Sequence, residues 1–176
     1  GDLRALIPLI EALRDADECD RESFEDALWK IGDERSFDHL IEALSDENEY
    51  VRRFSAGVLE KIGDERSFDH LIAALSDEND GVKFFASRAL GNIGGPSAVG
   101  PLIGVLGSDA KGVRTNVAEA LGKIGDPSAV EPLIGALGDD YDYVRDNAVE
   151  ALGKIGNERV VDFFIDSLVN DDGFLR

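Results

Sequence analysis

The sequence predicts an all-α fold, a right-handed solenoid of stacked helix pairs, and three observations carry that prediction. The dipeptide Ile-Gly recurs at Ile31-Gly32, Ile62-Gly63, Ile93-Gly94, Ile124-Gly125 and Ile155-Gly156, always 31 residues apart and with no insertion. Each period carries two apolar stripes at helical spacing. A lone helix pair cannot bury both stripes, whereas stacking pairs in one direction builds a superhelix with a continuous core in which each repeat touches only its neighbours.

The first helix of each unit is read from Phe37, Leu40, Ile41 and Leu44, at offsets 0, 3, 4 and 7, and from the equivalent Phe68, Leu71, Ile72, Leu75 and Val130, Leu133, Ile134, Leu137. Its start is signalled by an Asp after the glycine, followed by Pro in Gly125-Asp126-Pro127, where Asp caps and Pro takes the first helical position. Pro101 and Pro132 fall inside this helix, so its first turn is expected to be kinked or partly separate. The second helix follows from Val51, Ser55, Val58, Leu59 and Ile62, repeated as Val82, Ala86, Ala89, Leu90, Ile93 and as Val113, Val117, Ala120, Leu121, Ile124. These offsets of 0, 4, 7, 8 and 11 fall within about a quadrant of the helix, which must face the core. The closing glycine is expected to supply the left-handed conformation that ends the helix.

The units therefore run 1–31, 32–62, 63–93, 94–124 and 125–155, with a partial sixth at 156–176, and residues 1–176 read as a single array. Leu175 and Arg176 occupy the Val51 and Arg52 places, so the array is expected to be a fragment of a longer chain. Gly32–Asn48 and Gly63–Asn79 differ only where Glu42 is replaced by Ala73, the mark of an internal duplication.

Composition narrows the function. With 37 acidic and 18 basic residues the net charge is -19, which repels phosphate backbones and anionic headgroups, so neither nucleic acid nor a membrane surface is an expected partner. Cys19 is the only cysteine, which excludes an internal disulfide and a Cys-based zinc site and fits a reducing cytoplasm. No run of 18 apolar residues occurs.

The segment Val113 to Ile134 spells Val-Arg-x-x-x-x-x-Ala-Leu-Gly-Lys-Ile-Gly-Asp-Pro-Ser-Ala-Val-x-Pro-Leu-Ile. It resembles HEAT-like repeats of the short bilin-lyase type, and the resemblance covers essentially the whole chain. It implies a HEAT-like or armadillo-like superhelix serving as an adaptor scaffold, and it admits bilin handling as an alternative. Deoxyhypusine hydroxylase resembles the same fold but holds iron with His-Glu pairs. Here His39 and His70 are each followed by Leu and occupy the place of Pro101 and Pro132, so that enzyme is not expected.

Several recurrent residues have both a structural and a functional reading. Arg21, Arg52, Lys83, Arg114, Arg145 and Arg176 share one repeat position, and Asp15, Asp46, Asp77 and Asp139 share another. They are expected to form an Arg-Asp ladder between repeats, although a basic ladder could also bind an anionic partner. The acidic loops at 76–81 and 138–142 lack full calcium-loop spacing and read as solvated turns. Gly91, Gly122 and Gly153 recur inside second helices and are expected to permit close backbone approach. No catalytic constellation, metal site or cofactor site can be assembled.

Function then rests on positions that vary while the frame is constant. Offsets 2, 6 and 9 of the second helix point away from the core, toward the side expected to be concave. They read Glu22, Arg53, Phe84, Thr115, Asp146; Asp26, Gly57, Arg88, Glu119, Glu150; and Trp29, Glu60, Gly91, Gly122, Gly153. Flanking offset 3 adds Phe54 and Phe85 where later repeats have Asn116 and Asn147. Trp29, Arg53, Phe54, Phe84, Phe85 and Arg88 are therefore the candidate contact patch, since aromatics with Arg neighbours are typical binding anchors. The alternative is that the flanking pair packs between repeats and leaves only Phe84 exposed. The fourth unit alone is not acidic, with a charge of +1, and a partner of basic or mixed charge would be steered to this middle. The expected role is a non-catalytic protein–protein interaction scaffold that binds a protein or peptide. The alternative is a bilin lyase or its partner subunit, with Arg53 and Arg88 anchoring the propionates.

Overall fold

The computed structural model describes residues 3–169, without the side chains of residues 3, 18, 19, 21, 22, 25 and 166–169. Expectations placed on the side chains of Cys19, Arg21 and Glu22, and on Leu175 and Arg176, lie outside the described residues. The described residues form helices and connecting turns with no strand: α1 (Leu6–Asp15), α2 (Glu18–Ile31), α3 (Phe37–Ala43), α4 (Glu49–Ile62), α5 (Phe68–Ala74), α6 (Asp80–Ile93), α7 (Val99–Val105), α8 (Lys111–Ile124), α9 (Val130–Ala136), α10 (Asp142–Ile155) and α11 (Glu158–Val169). The fold is an all-α solenoid of helix pairs. Two compact units divide it within α6, Gly1–Ala89 and Leu90–Arg176.

Within each unit the leucines set the core. Leu28, Leu40, Leu59 and Leu71 in the first unit, and Leu90, Leu102, Leu121, Leu133 and Leu152 in the second, are fully buried. Each such side chain contributes roughly 2 kcal/mol of transfer free energy. Buried Ser55 and Ser87 satisfy their hydroxyls on the carbonyls one turn back, Val51 at 2.9 Å and Lys83 at 2.7 Å, so the small polar residue costs the core little.

The first helix of a repeat is entered through a 3₁₀ turn, as expected of a partly separate first turn, but proline inside the helix is not the cause. The break lies before the Pro101 and Pro132 positions, and it recurs at Glu34–Ser36 and Glu65–Ser67, where the inner residue is His39 or His70. Asp capping stabilises it in three repeats, while at Pro96–Ala98 the turn forms after Gly95 with no side-chain cap. Asp33, Asp64 and Asp126 each accept the backbone N–H two residues on, and Ser36 and Ser67 donate back to the Asp33 and Asp64 carbonyls. Pro101 and Pro132 stand third in their helices, where the backbone N–H would have no helical partner.

The closing glycines Gly63, Gly94, Gly125 and Gly156 take φ between 56° and 80°, and Gly63, Gly125 and Gly156 are the left-handed C-caps of α4, α8 and α10. Gly32 departs from this expectation, because its φ is not positive. Its need for glycine is steric, since a Cβ there would lie 2.6 Å from Val58 Cγ1.

The Arg-Asp ladder is structural where it is described. Arg52 donates to Asp77 through Nε and Nη2 at 2.7 and 3.0 Å, and to the Asp46 and Glu47 carbonyls through Nη1 at 2.9 and 3.0 Å. Arg114 repeats the pattern with Asp139 at 2.7 and 2.8 Å and the Ser108 and Asp109 carbonyls at 2.9 and 3.1 Å. Hydrogen bonding to Asp77 and Asp139, respectively, raises both guanidinium pKa values against the opposing effect of burial. Lys83 pairs with Asp80, Arg145 with Asp142, and Asp46 is taken by Arg14.

Gly122 confirms the expected close approach: a Cβ on it would lie 2.7 Å from both Cα and Cβ of Ala151. Gly91 meets Ala120 in the same way, at 2.8 and 2.7 Å, and Gly153 has nothing within 4 Å of that position.

Candidate functional site

Five of the six candidate patch residues gather around one partly exposed aromatic cluster on the second helices of the first unit. Trp29 near the end of α2 is half-buried, and its ring meets Phe54 of α4 edge-on at 6.5 Å and 88°. Phe85 of α6 lies 6.3 Å from the same indole, tilted by 57°, and continues to Phe84 at 5.3 Å and 84°. Edge-to-face pairs at these separations are the preferred geometry of aromatic quadrupoles and fix ring orientation.

Gly57 makes room for the indole. A Cβ there would stand 2.9 Å from Trp29 Cζ2, 3.2 Å from Cη2 and 3.5 Å from Phe85 Cδ1. The glycine in the offset-6 column is thus complementary to the tryptophan in the offset-9 column.

Phe54 departs from the expected contact patch. Only 3% exposed, it supports Trp29 from within instead of offering a surface. Its offset of 3 does not by itself bury it, since Phe85 at the same offset is half-buried. Phe84 and Phe85 are both half-buried, so the flanking column divides between an interior ring and a partly open one.

Both arginines are braced over aromatic rings, Arg88 over Phe84 of the cluster and Arg53 over Tyr50 outside it. Arg88 holds its guanidinium 5.8 Å from the Phe84 centroid and 3.4 Å from Glu60, with 43% of its side chain exposed. Arg53 places its guanidinium 5.6 Å from the Tyr50 ring, while its stem lies where a Cβ on Gly81 would meet Cδ at 2.6 Å. Cation–π placement and stem packing reduce the freedom a partner would otherwise have to freeze out. Tyr50 was missed in the sequence because it precedes the core stripe, although its place three residues before Arg53 is the usual helical neighbour spacing.

Elsewhere the acidic loops serve their own backbone and the ladder: Asp77 accepts from Asn79 N–H at 2.8 Å, and Asn79 Oδ1 accepts from Gly81 N–H at 2.8 Å. Among the described residues, no group of three or more His, Cys, Asp or Glu is placed to hold a metal ion, and no helix is long and apolar enough to cross a membrane.

Comparison with solved structures supports the same architecture. The complex of CpcE and CpcF of phycocyanin lyase from Nostoc sp. PCC7120 is 24% identical, with a TM-score of 0.69 over 93% of this chain and 70% of that one. A designed armadillo repeat protein in complex with the peptide (KR)4 is 20% identical, with a TM-score of 0.62 over 88% and 84%. Human deoxyhypusine hydroxylase in complex with glycerol is 25% identical, with a TM-score of 0.53 over 98% and 70%. No curated protein matches the chain. HEAT repeats match residues 6–84, 68–148 and 113–176, and the chain belongs to the HEAT-repeat family.

Proposed function

We propose that the chain is a non-catalytic interaction module, and that the second helices of its first unit hold a protein or peptide segment against Trp29, Phe84, Phe85, Arg53 and Arg88. The observation that carries this reading is the braced, partly exposed aromatic cluster at positions where the repeat otherwise places small or polar residues. Ordered rings give a partner apolar area at little entropic loss, and such anchors dominate binding energy. Repeat solenoids commonly serve as interaction scaffolds, and two structural neighbours are described as complexes, one of two lyase proteins and one with a peptide.

Residues 1–89 contain 23 acidic and 11 basic residues, a field that draws partners of basic or mixed charge. Trp29 is the sole tryptophan, so its emission reports on this face alone. Peptides selected from a displayed random library should shift that emission, and Phe84→Ala should weaken them at least tenfold. Selected peptides that leave Trp29 emission unchanged and bind the Phe84→Ala chain equally would overturn the reading. A second reading, a linear tetrapyrrole laid on the rings with its propionates on Arg53 and Arg88, is favoured by the placement of both arginines beside aromatic rings and by the phycocyanin lyase neighbour. A shifted biliverdin absorption band, lost in Arg53→Ala with Arg88→Ala, would select it.

A further inference from the structure

A second set of repeat-breaking residues converges on the first helices. Between α1 and α3 lies a groove of about 200 Å³, floored by Ile7, Ile10 and Ala43 and rimmed by the carboxylates of Glu11 and Glu42. Ile7 is 49% exposed, and its column otherwise reads Asp38, Asp69, Gly100 and Glu131, all exposed. Glu11 and Glu42 head a column that continues as Ala73, Gly104 and Gly135. An exposed isoleucine in a polar column and two glutamates in a small-residue column depart from the frame at one place.

The neighbouring groove of the same unit provides an internal comparison. It measures about 190 Å³ and is lined by Leu44, Ser45, His70, Ala73, Ala74 and Asp77, with no glutamate. The two segments that supply α3 and α5 are identical over Gly32–Asn48 and Gly63–Asn79 except for Glu42 against Ala73. The single difference therefore falls on the groove rim.

The remaining charges of the α1–α3 groove leave it acidic. Arg14 is paired with Asp46, to which it donates through Nε at 2.9 Å, and His39 also lines the groove. Glu11 and Glu42 form no ion pair among the described residues; both are exposed, and Glu11 contributes less to the field at Arg14 than Asp46 does.

We infer that this groove receives a lysine side chain of a partner protein, with the four-carbon stem on Ile7, Ile10 and Ala43 and the ammonium between Glu11 and Glu42. An amphipathic side chain with an apolar stem and a compact cationic head matches an apolar floor with an acidic rim. The volume accommodates one such side chain, and two flanking carboxylates supply acceptors for its three donors. This seat is built by first helices, so it stands or falls separately from the aromatic cluster on the second helices.

The test is a titration of the isotope-labelled 176-residue chain with N-acetyl-lysine N-methylamide at 150 mM NaCl, read by amide chemical shifts. N-acetyl-norleucine N-methylamide, which keeps the four-carbon stem and lacks the ammonium, is the control. The expected result is saturable shifts at Ile7, Ile10 and Ala43 with the lysine probe, at least fivefold weaker with norleucine and in Glu42→Ala. That variant adopts the residue that the duplicated segment already has at Ala73, so it should keep the wild-type spectrum elsewhere. Equal binding by norleucine, equal binding by Glu42→Ala, or shifts spread over acidic surfaces outside α1 and α3 would each overturn the assignment.

Discussion

Replacing Arg114 by Met removes the guanidinium and keeps most of the stem, which isolates the ladder from apolar packing. Arg114 and Asp139 are 13% and 12% exposed, so neither is fully desolvated, yet neither has free access to water. The change leaves the Asp139 carboxylate without its two-bond partner and strands the Ser108 and Asp109 carbonyls. Breaking a buried pair by removing one partner costs ~3–5 kcal/mol, and the remaining exposure discounts this toward about 2.5 kcal/mol. For a chain of this size that is a fall of roughly 5–10 °C in Tm. Arg145→Met is the comparison: its side chain is 39% exposed and holds only the Asp139 carbonyl and Asp142, so the loss should stay under about 1 kcal/mol. Urea unfolding followed by circular dichroism measures both. Equal losses, or a loss below about 1 kcal/mol for Arg114→Met, would refute the claim that the ladder holds adjacent repeats together.

Other outcomes follow from the same geometry. Asp139 has its pKa lowered, first by the Arg114 hydrogen bond and against the effect of burial. Its contribution is present above the unfolded value of about 3.9 and is lost as pH falls through the folded value, so the gap in urea midpoint between wild type and Arg114→Met should narrow between pH 7 and pH 3. Gly122→Ala should destabilise by about 1–3 kcal/mol because its Cβ would meet Ala151 backbone and side chain at 2.7 Å, whereas Gly153→Ala, with open space, should stabilise by up to about 1 kcal/mol through helix propensity. Gly57→Ala should displace the Trp29 indole and shift its emission in the unliganded chain, because the new methyl would stand 2.9 Å from Cζ2.

The frame was legible because it is periodic: the Ile-Gly spacing, the leucine stripes and the Asp caps each repeat often enough for local chemistry to be read from one unit and checked in the next. What escaped the sequence depends on which helix a side chain meets across the stack. Gly32 looks like the other closing glycines, but its role is set by Val58 in the following repeat. Asp46 stands in the ladder column, and it accepts from Arg14, 32 residues back and outside the arginine column. Phe54 and Phe85 share an offset and lie 6.5 and 6.3 Å from the Trp29 ring, yet only Phe54 is buried. The 3₁₀ entry turn was expected from proline, but Asp and Ser hydrogen bonds make it in repeats where that proline is absent. The α1–α3 groove leaves no mark in the second-helix columns, because Ile7, Glu11 and Glu42 lie on first helices.

The central claim is that the aromatic face of the first unit is where a partner binds, and Trp29 emission tests it most directly. A library-selected peptide titrated into the chain should shift and saturate that emission, with affinity reduced at least tenfold by Phe84→Ala, as expected for an anchor worth ~1.4 kcal/mol or more. Saturable binding with unchanged Trp29 emission and full affinity for Phe84→Ala would place the partner elsewhere and contradict the account.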